Sequence, residues 1–131
     1  MVIDTSALLA LLQDEAPAAA LRLAVAEDPV RLMSAVSVLE ATCVLSARRG
    51  SRALPELALF LSEFRLEKVS FDAAHLELAQ SAWLRYGRGV HPARLNFGDC
   101  AAYALAQATG EPLLFVGDDF ARTDVPAVRY A

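Results

Sequence analysis

Residues 1–12 read MVIDTSALLALL, and this stretch decides the fold. Met1 to Asp4 is a short, β-branched apolar run, suited to a buried strand that ends on a carboxylate. Thr5 and Ser6 then offer hydroxyl oxygens as N-caps for a helix that begins near Ala7. An apolar strand running directly into a helix is the first half of a strand–helix–strand unit.

Outward from that stretch the alternation continues. The pattern predicts a helix over Pro17–Glu27, with proline tolerated in the first turn, and a second strand over Val30–Met33. A long helix over Ala35–Arg49 is stopped by Gly50, and another covers Leu54–Arg65. A third strand is expected over Leu66–Phe71 and a helix over Asp72–Tyr86. Gly87–Gly98 is the longest loop, Asp99–Thr109 a helix closed by Gly110, Leu113–Val116 a fourth strand and Ala127–Tyr130 a short fifth. Such alternation indicates an α/β fold whose central, mainly parallel sheet of four to five strands is covered by helices on both faces. Right-handed crossovers bring the carboxyl ends of the strands to one edge, where ligands of such folds bind.

At 131 residues, with no repeat, linker or low-complexity tract, the chain reads as a single domain over 1–131. With 56% hydrophobic residues and a net charge of only −4, it cannot be intrinsically disordered. The apolar run near the start, Ala7 to Leu12, is far shorter than the roughly 20 residues of a membrane span, and no basic leader precedes it. The expectation is a cytoplasmic protein, not bound to a membrane, with Cys43 and Cys100 reduced and packed in the core. Eleven of the twelve basic residues are arginine, against sixteen acids. This balance argues against a generic nucleic-acid binder held by a basic surface, but not against an enzyme whose carboxylates are committed to metal ions.

Four acids stand in apolar surroundings. Asp4 ends the first strand, Asp99 opens the helix that continues AAYAL, and Asp119 lies between the fourth strand and Phe120. Glu40 sits in the most apolar helix, with Val36 and Val44 one turn away on either side and no cation three or four residues distant. Ordinary structural roles are available to three of them: Asp4 and Asp99 as helix caps, and Asp119, with its neighbour Asp118, as a turn residue. Glu40 has no such role, because an unpaired carboxylate on an apolar helix surface costs several kcal/mol. Asp4 and Asp119 fall at carboxyl ends of strands and so on one sheet edge, whereas the place of Asp99 depends on how the preceding loop approaches; clustered acids repel, and the usual remedy is a hard divalent cation, Mg²⁺ or Mn²⁺, with oxygen ligands. Such a site can generate hydroxide and neutralise charge on a phosphodiester. Competing chemistries lack their residues. Only His75, read as an exposed helix residue, and His91, read as a loop residue, are present, with no Cys/His zinc spacing, no P-loop and no dinucleotide glycine signature.

Four segments, MVIDTSALLALL, SAVSVLEATCVL, RLNFGDCAAYALAQATGEPLLFVGDDF and ARTDV, resemble those of PIN-domain ribonucleases, and more narrowly the VapC-type toxins of bacterial toxin–antitoxin pairs. The resemblance runs from Met1 to about Val125 and implies a PIN-like three-layer sandwich. It implies a metal-dependent endoribonuclease that hydrolyses RNA phosphodiester bonds, with transfer or ribosomal RNA as substrate classes. It also implies a cognate VapB-type antitoxin that blocks the site, and a homodimer. Carried over by position, it makes Asp4, Glu40, Asp99 and Asp119 the catalytic residues that hold Mg²⁺ or Mn²⁺, supported by Thr5, Ser6, Asn96 and Asp118. Many relatives carry another acid two positions before Asp119, where this chain has Gly117, so the fourth ligand lies among Asp119, Asp118 and Asp124.

Arg48, Arg49 and Arg52 after the long helix, and Arg85, Arg88 and Arg94 around the long loop, are candidate RNA-phosphate contacts. Solvated helix ends are the ordinary role of such arginines. Two other function classes remain. One is a catalytically inactive PIN-like module that recruits a protein or RNA partner, favoured only by Gly117. The other is an aspartyl-phosphate domain, disfavoured by the lack of a second aspartate two residues after Asp4.

Overall fold

The structure, a computed structural model, describes residues 1–130. In chain order the elements are β1 (Val2–Ile3), α1 (Thr5–Leu12), α2 (Ala18–Glu27), β2 (Leu32–Ser34), α3 (Ala35–Arg49), α4 (Ala53–Glu63), β3 (Glu67–Val69), α5 (Ala73–Tyr86), α6 (Phe97–Thr109) and β4 (Leu113–Leu114). The strands form one parallel sheet in the order β3-β2-β1-β4. The chain therefore steps outward from β1 to β3, then returns through α5 and α6 to lay β4 on the other side of β1. The reversal of direction lies between β1 and β4, where an open parallel sheet offers a crevice at its carboxyl edge.

Strand side chains alternate between two cores, which is why the strands read as unbroken apolar runs. Ile3, Met33 and Leu114 pack with α1–α4, through Leu8, Leu11, Leu21, Leu45 and Leu57. Val2 and Leu113 face the other way, against Ala82, Ala102, Leu105, Phe120 and Val125. Helices thus cover both sheet faces, the expected three layers.

Several boundaries differ from the sequence reading. Helix α1 begins at Thr5, because Asp4 rather than Thr5 or Ser6 is its N-cap. Helix α6 begins at Phe97 with Asn96 as N-cap, so Asp99 lies inside its first turn. The expected fifth strand is a single parallel bridge, Leu113 to Ala127. Leu113 donates to the Pro126 carbonyl and Val128 donates to Leu113, but Pro126 has no N–H with which to extend the ladder. The 87–96 loop is pinned by a bridge between Gly87 and Leu95, with Ala93 and Leu95 buried. Cys43 is exposed on α3, whereas Cys100 is buried as expected. His75 is buried rather than exposed, in the first turn of α5 with its ring edge-on to Phe71.

Candidate active site

Asp4 follows β1 and is only 3% exposed. Its Oδ2 atom accepts two hydrogen bonds from Ser6, from the backbone N–H at 3.0 Å and the hydroxyl at 2.6 Å. Its Oδ1 atom is buried without a partner. Burial pushes the Asp4 carboxyl up to about 6; the Ser6 bonds oppose that rise and the nearby charge of Glu40 adds to it. One oxygen caps the helix while the other stays available.

The hydroxyls beside Asp4 have separate tasks. Ser6 Oγ also accepts from the Val116 N–H at 3.1 Å, tying the end of β4 to the first aspartate. Thr5 Oγ1 donates instead to the Ser37 carbonyl at 3.1 Å and so fixes α1 against α3. The Thr5 hydroxyl thus joins two helices, and its hydrogen bond goes to Ser37 rather than to Asp4.

Glu40 is half-buried on α3, and its carboxylate lies directly against Gly98 in the first turn of α6. Asp99, one residue on, closes a capping box: its Oδ2 accepts from Asn96 N–H at 3.0 Å, and Asn96 Oδ1 accepts from Asp99 N–H at 2.9 Å. Burial raises the Asp99 carboxyl to about 7; the Asn96 bond opposes this, while repulsion from Asp4, Asp119 and Glu40 reinforces it. The four acids singled out in the sequence are therefore brought together, from β1, α3, α6 and the turn after β4. Among the described residues they do not close into a ready-made coordination shell. Instead they border a common, electrically negative edge.

The three candidates for the fourth ligand differ in their surroundings. Asp119 is exposed, yet its charge reaches Asp99. Asp118 is exposed in the same turn. Asp124 is engaged elsewhere: it accepts from the Tyr103 hydroxyl and pairs with Arg85 at 3.3 Å, and the Tyr103 bond holds its carboxyl below the usual range. Gly117 has φ +106°, a conformation that L side chains rarely adopt, so glycine is there for the turn. That removes the one feature favouring an inactive module.

Three of the six arginines expected to meet RNA are committed within the chain. Arg48 donates to Gln13, Arg49 pairs with Glu56, and Arg85 bonds Tyr86, Tyr103 and Asp124. Arg52 and Arg94 are exposed. Arg88 lines a groove of about 870 Å³ with Trp83, Asn96 and Phe97, at the flank of the acidic edge. The sequence reading missed Ser37 and Gly98. Ser37 is buried one turn before Glu40 with its hydroxyl unpartnered, a hint carried by the three-residue spacing. No sequence signal marks the contact between Gly98 and Glu40.

Comparison with known proteins identifies the family and the fold. The PIN domain family model matches residues 1–126. Ribonuclease VapC of Mycolicibacterium smegmatis is 51% identical, over 98% of this chain and 100% of the relative. The chain belongs to the PIN-domain family, in its VapC branch. The PIN fold is shared with the Mycobacterium tuberculosis toxin VapC20, described as cleaving the sarcin–ricin loop, at a TM-score of 0.79 and 22% identity over 98% of each chain. It is shared too with VapBC2 of Rickettsia felis, bound to a DNA fragment from their promoter, at a TM-score of 0.72 and 17% identity over 99% and 98%. In this PIN domain Asp4 and Asp119 follow β1 and β4, the strands on either side of the topological reversal, while Glu40 and Asp99 are carried by α3 and α6.

Proposed function

We propose that this chain is a divalent-metal-dependent endoribonuclease, the toxin of a toxin–antitoxin pair whose VapB-type partner blocks its site. The observation that carries the reading is the edge itself: Asp99 is repelled by Asp4, Glu40 and Asp119, while Asp4 keeps a buried oxygen without a partner. An all-oxygen set of crowded carboxylates suits Mg²⁺ or Mn²⁺ rather than a softer metal. Asp4, Glu40, Asp99 and Asp119 would hold the ion, directly or through water. When bound, it would lower the pKa of water and offset charge on the scissile phosphate.

The chain's own residues do the positioning. Ser6 orients Asp4 so that Oδ2 is occupied and Oδ1 is left without a partner. Asn96 holds Asp99 through the capping box. Arg88, beside Asn96 and Phe97, is the arginine best located to meet an RNA phosphate next to the acids. Kinship with VapC ribonucleases supports RNA as substrate, and structured transfer or ribosomal RNA are the first classes to test. A homodimer is supported by exposed Trp83, Leu84 and Phe97 on α5 and α6, apolar surface that a second copy would cover.

Purified protein mixed with RNA and Mn²⁺, followed by mapping of the new RNA ends, tests the activity. Discrete internal cuts that vanish on chelation and in Asp4→Asn support the reading. Cleavage unaffected by both would overturn it. Sedimentation gives the oligomeric state separately.

A further inference from the structure

We propose that Gly98 is a positioning residue for Glu40: the missing side chain leaves the space in which the Glu40 carboxylate rests beside Asp99. The inference depends on the metal-dependent reading above. A Cβ built on Gly98 would lie 2.5 Å from Glu40 Cδ and 2.6 Å from Oε1, with Oε2 nearer still. Each of its three nearest neighbours belongs to that one carboxyl group. Outside the helix's own backbone, no other atom of the described residues stands nearer.

This pattern separates Gly98 from glycines required by the chain's own geometry. Its neighbourhood does not include a left-handed backbone, as at Gly50, Gly89, Gly110 and Gly117, because Gly98 is an ordinary helical residue within α6. Local structure alone would favour alanine there, since glycine is the poorer helix former by about 1 kcal/mol. The obstructed group is the far end of a flexible, half-buried side chain, so an added methyl would be accommodated by swinging Glu40 away. The consequence falls on the acid's placement and leaves the fold alone. Glycine at 98 thus gives up helix stability where the acids Asp99 and Glu40 come together.

The test is a double-mutant cycle on the full chain, with Mn²⁺ as probe, binding followed by loss of the free-ion EPR signal and by calorimetry, and folding by thermal denaturation. Gly98→Ala is expected to melt at or above the wild-type temperature. Its Mn²⁺ affinity should fall about 10–100-fold, the range seen when a group that orients a metal ligand is disturbed. In the Glu40→Ala background the same Gly98→Ala change should alter Mn²⁺ affinity by less than about twofold, because the displaced carboxylate is already gone. Wild-type affinity in Gly98→Ala, losses that multiply in the double variant, or unfolding of Gly98→Ala would each overturn the role of Gly98. If Glu40→Ala itself binds Mn²⁺ as well as wild type, the metal-site reading fails instead.

Discussion

At the scale of single residues, Asp4 resolves what its sequence position left open. A helix cap and a site acid looked like alternatives, but the two oxygens divide the work: Oδ2 caps α1 and Oδ1 stays unpartnered. Asp99 divides likewise, with Oδ2 committed to Asn96. Asparagine is itself a good N-cap, so Asp4→Asn and Asp99→Asn remove charge while keeping a hydrogen-bond acceptor. Both variants should melt within a few degrees of wild type and lose Mn²⁺-dependent RNA cleavage, measured as initial rate on one defined RNA. Ser6→Ala gives a graded effect. Losing one hydrogen bond to a charged group shifts the Asp4 ionisation upward by about one pH unit, so the pH midpoint of Mn²⁺ binding should rise by about that much. An unchanged midpoint would mean that Ser6 does not set the Asp4 acidity.

At the scale of elements, the turn after β4 makes the sharpest prediction. Replacing Gly117 by aspartate restores an acid found in many relatives but forces a side chain to φ +106°. The variant should be about 1–3 kcal/mol less stable in urea and gain no Mn²⁺ affinity. Equal stability would show that the turn tolerates side chains. Element type was legible wherever burial on both faces leaves an unbroken apolar run, as in Val2–Ile3 and Leu113–Leu114. It was not legible at Ala127–Tyr130, where Pro126 cuts the ladder to one bridge, nor at the start of α6, where Asn96 takes the cap from Asp99. The acids could be picked out because Asp4, Glu40, Asp99 and Asp119 are out of place among apolar neighbours. Gly98 could not, since its contact with Glu40 joins α6 to α3 and exists only after folding. Cys43 and His75 fell on the opposite faces of their helices from those expected, because α3 and α5 carry apolar residues on exposed faces too, Leu39 on the one and Leu76 and Leu84 on the other, which blurs the periodicity.

At the scale of the whole molecule, the acidic edge links stability to pH in a definite direction. Asp4 and Asp99 ionise near 6 and 7 when folded, against an ordinary value of 3.8. Between about pH 4 and 7 the folded chain therefore binds more protons than the unfolded one, and this contribution to stability is lost as pH rises through the folded values. Asp28, Asp72 and Asp124 are shifted downward, so their contribution is lost only under stronger acid. Metal-free protein should thus be more resistant to urea at pH 5 than at pH 7.5, with the difference reduced in Asp4→Asn and Asp99→Asn. Added Mn²⁺ should reverse the order, because ion binding favours the ionised acids and releases protons. A metal-free midpoint that climbs steadily from pH 5 to 7.5 would contradict the placement of both groups.

The Ser6 hydroxyl has a mechanical consequence. It grips the Asp4 carboxylate with its proton and takes the Val116 amide on its lone pair, across 110 positions of sequence. Whatever tugs on the 117–119 turn, whether a lengthened loop or a docked inhibitor, reaches the first aspartate through one oxygen atom and needs no contact with it.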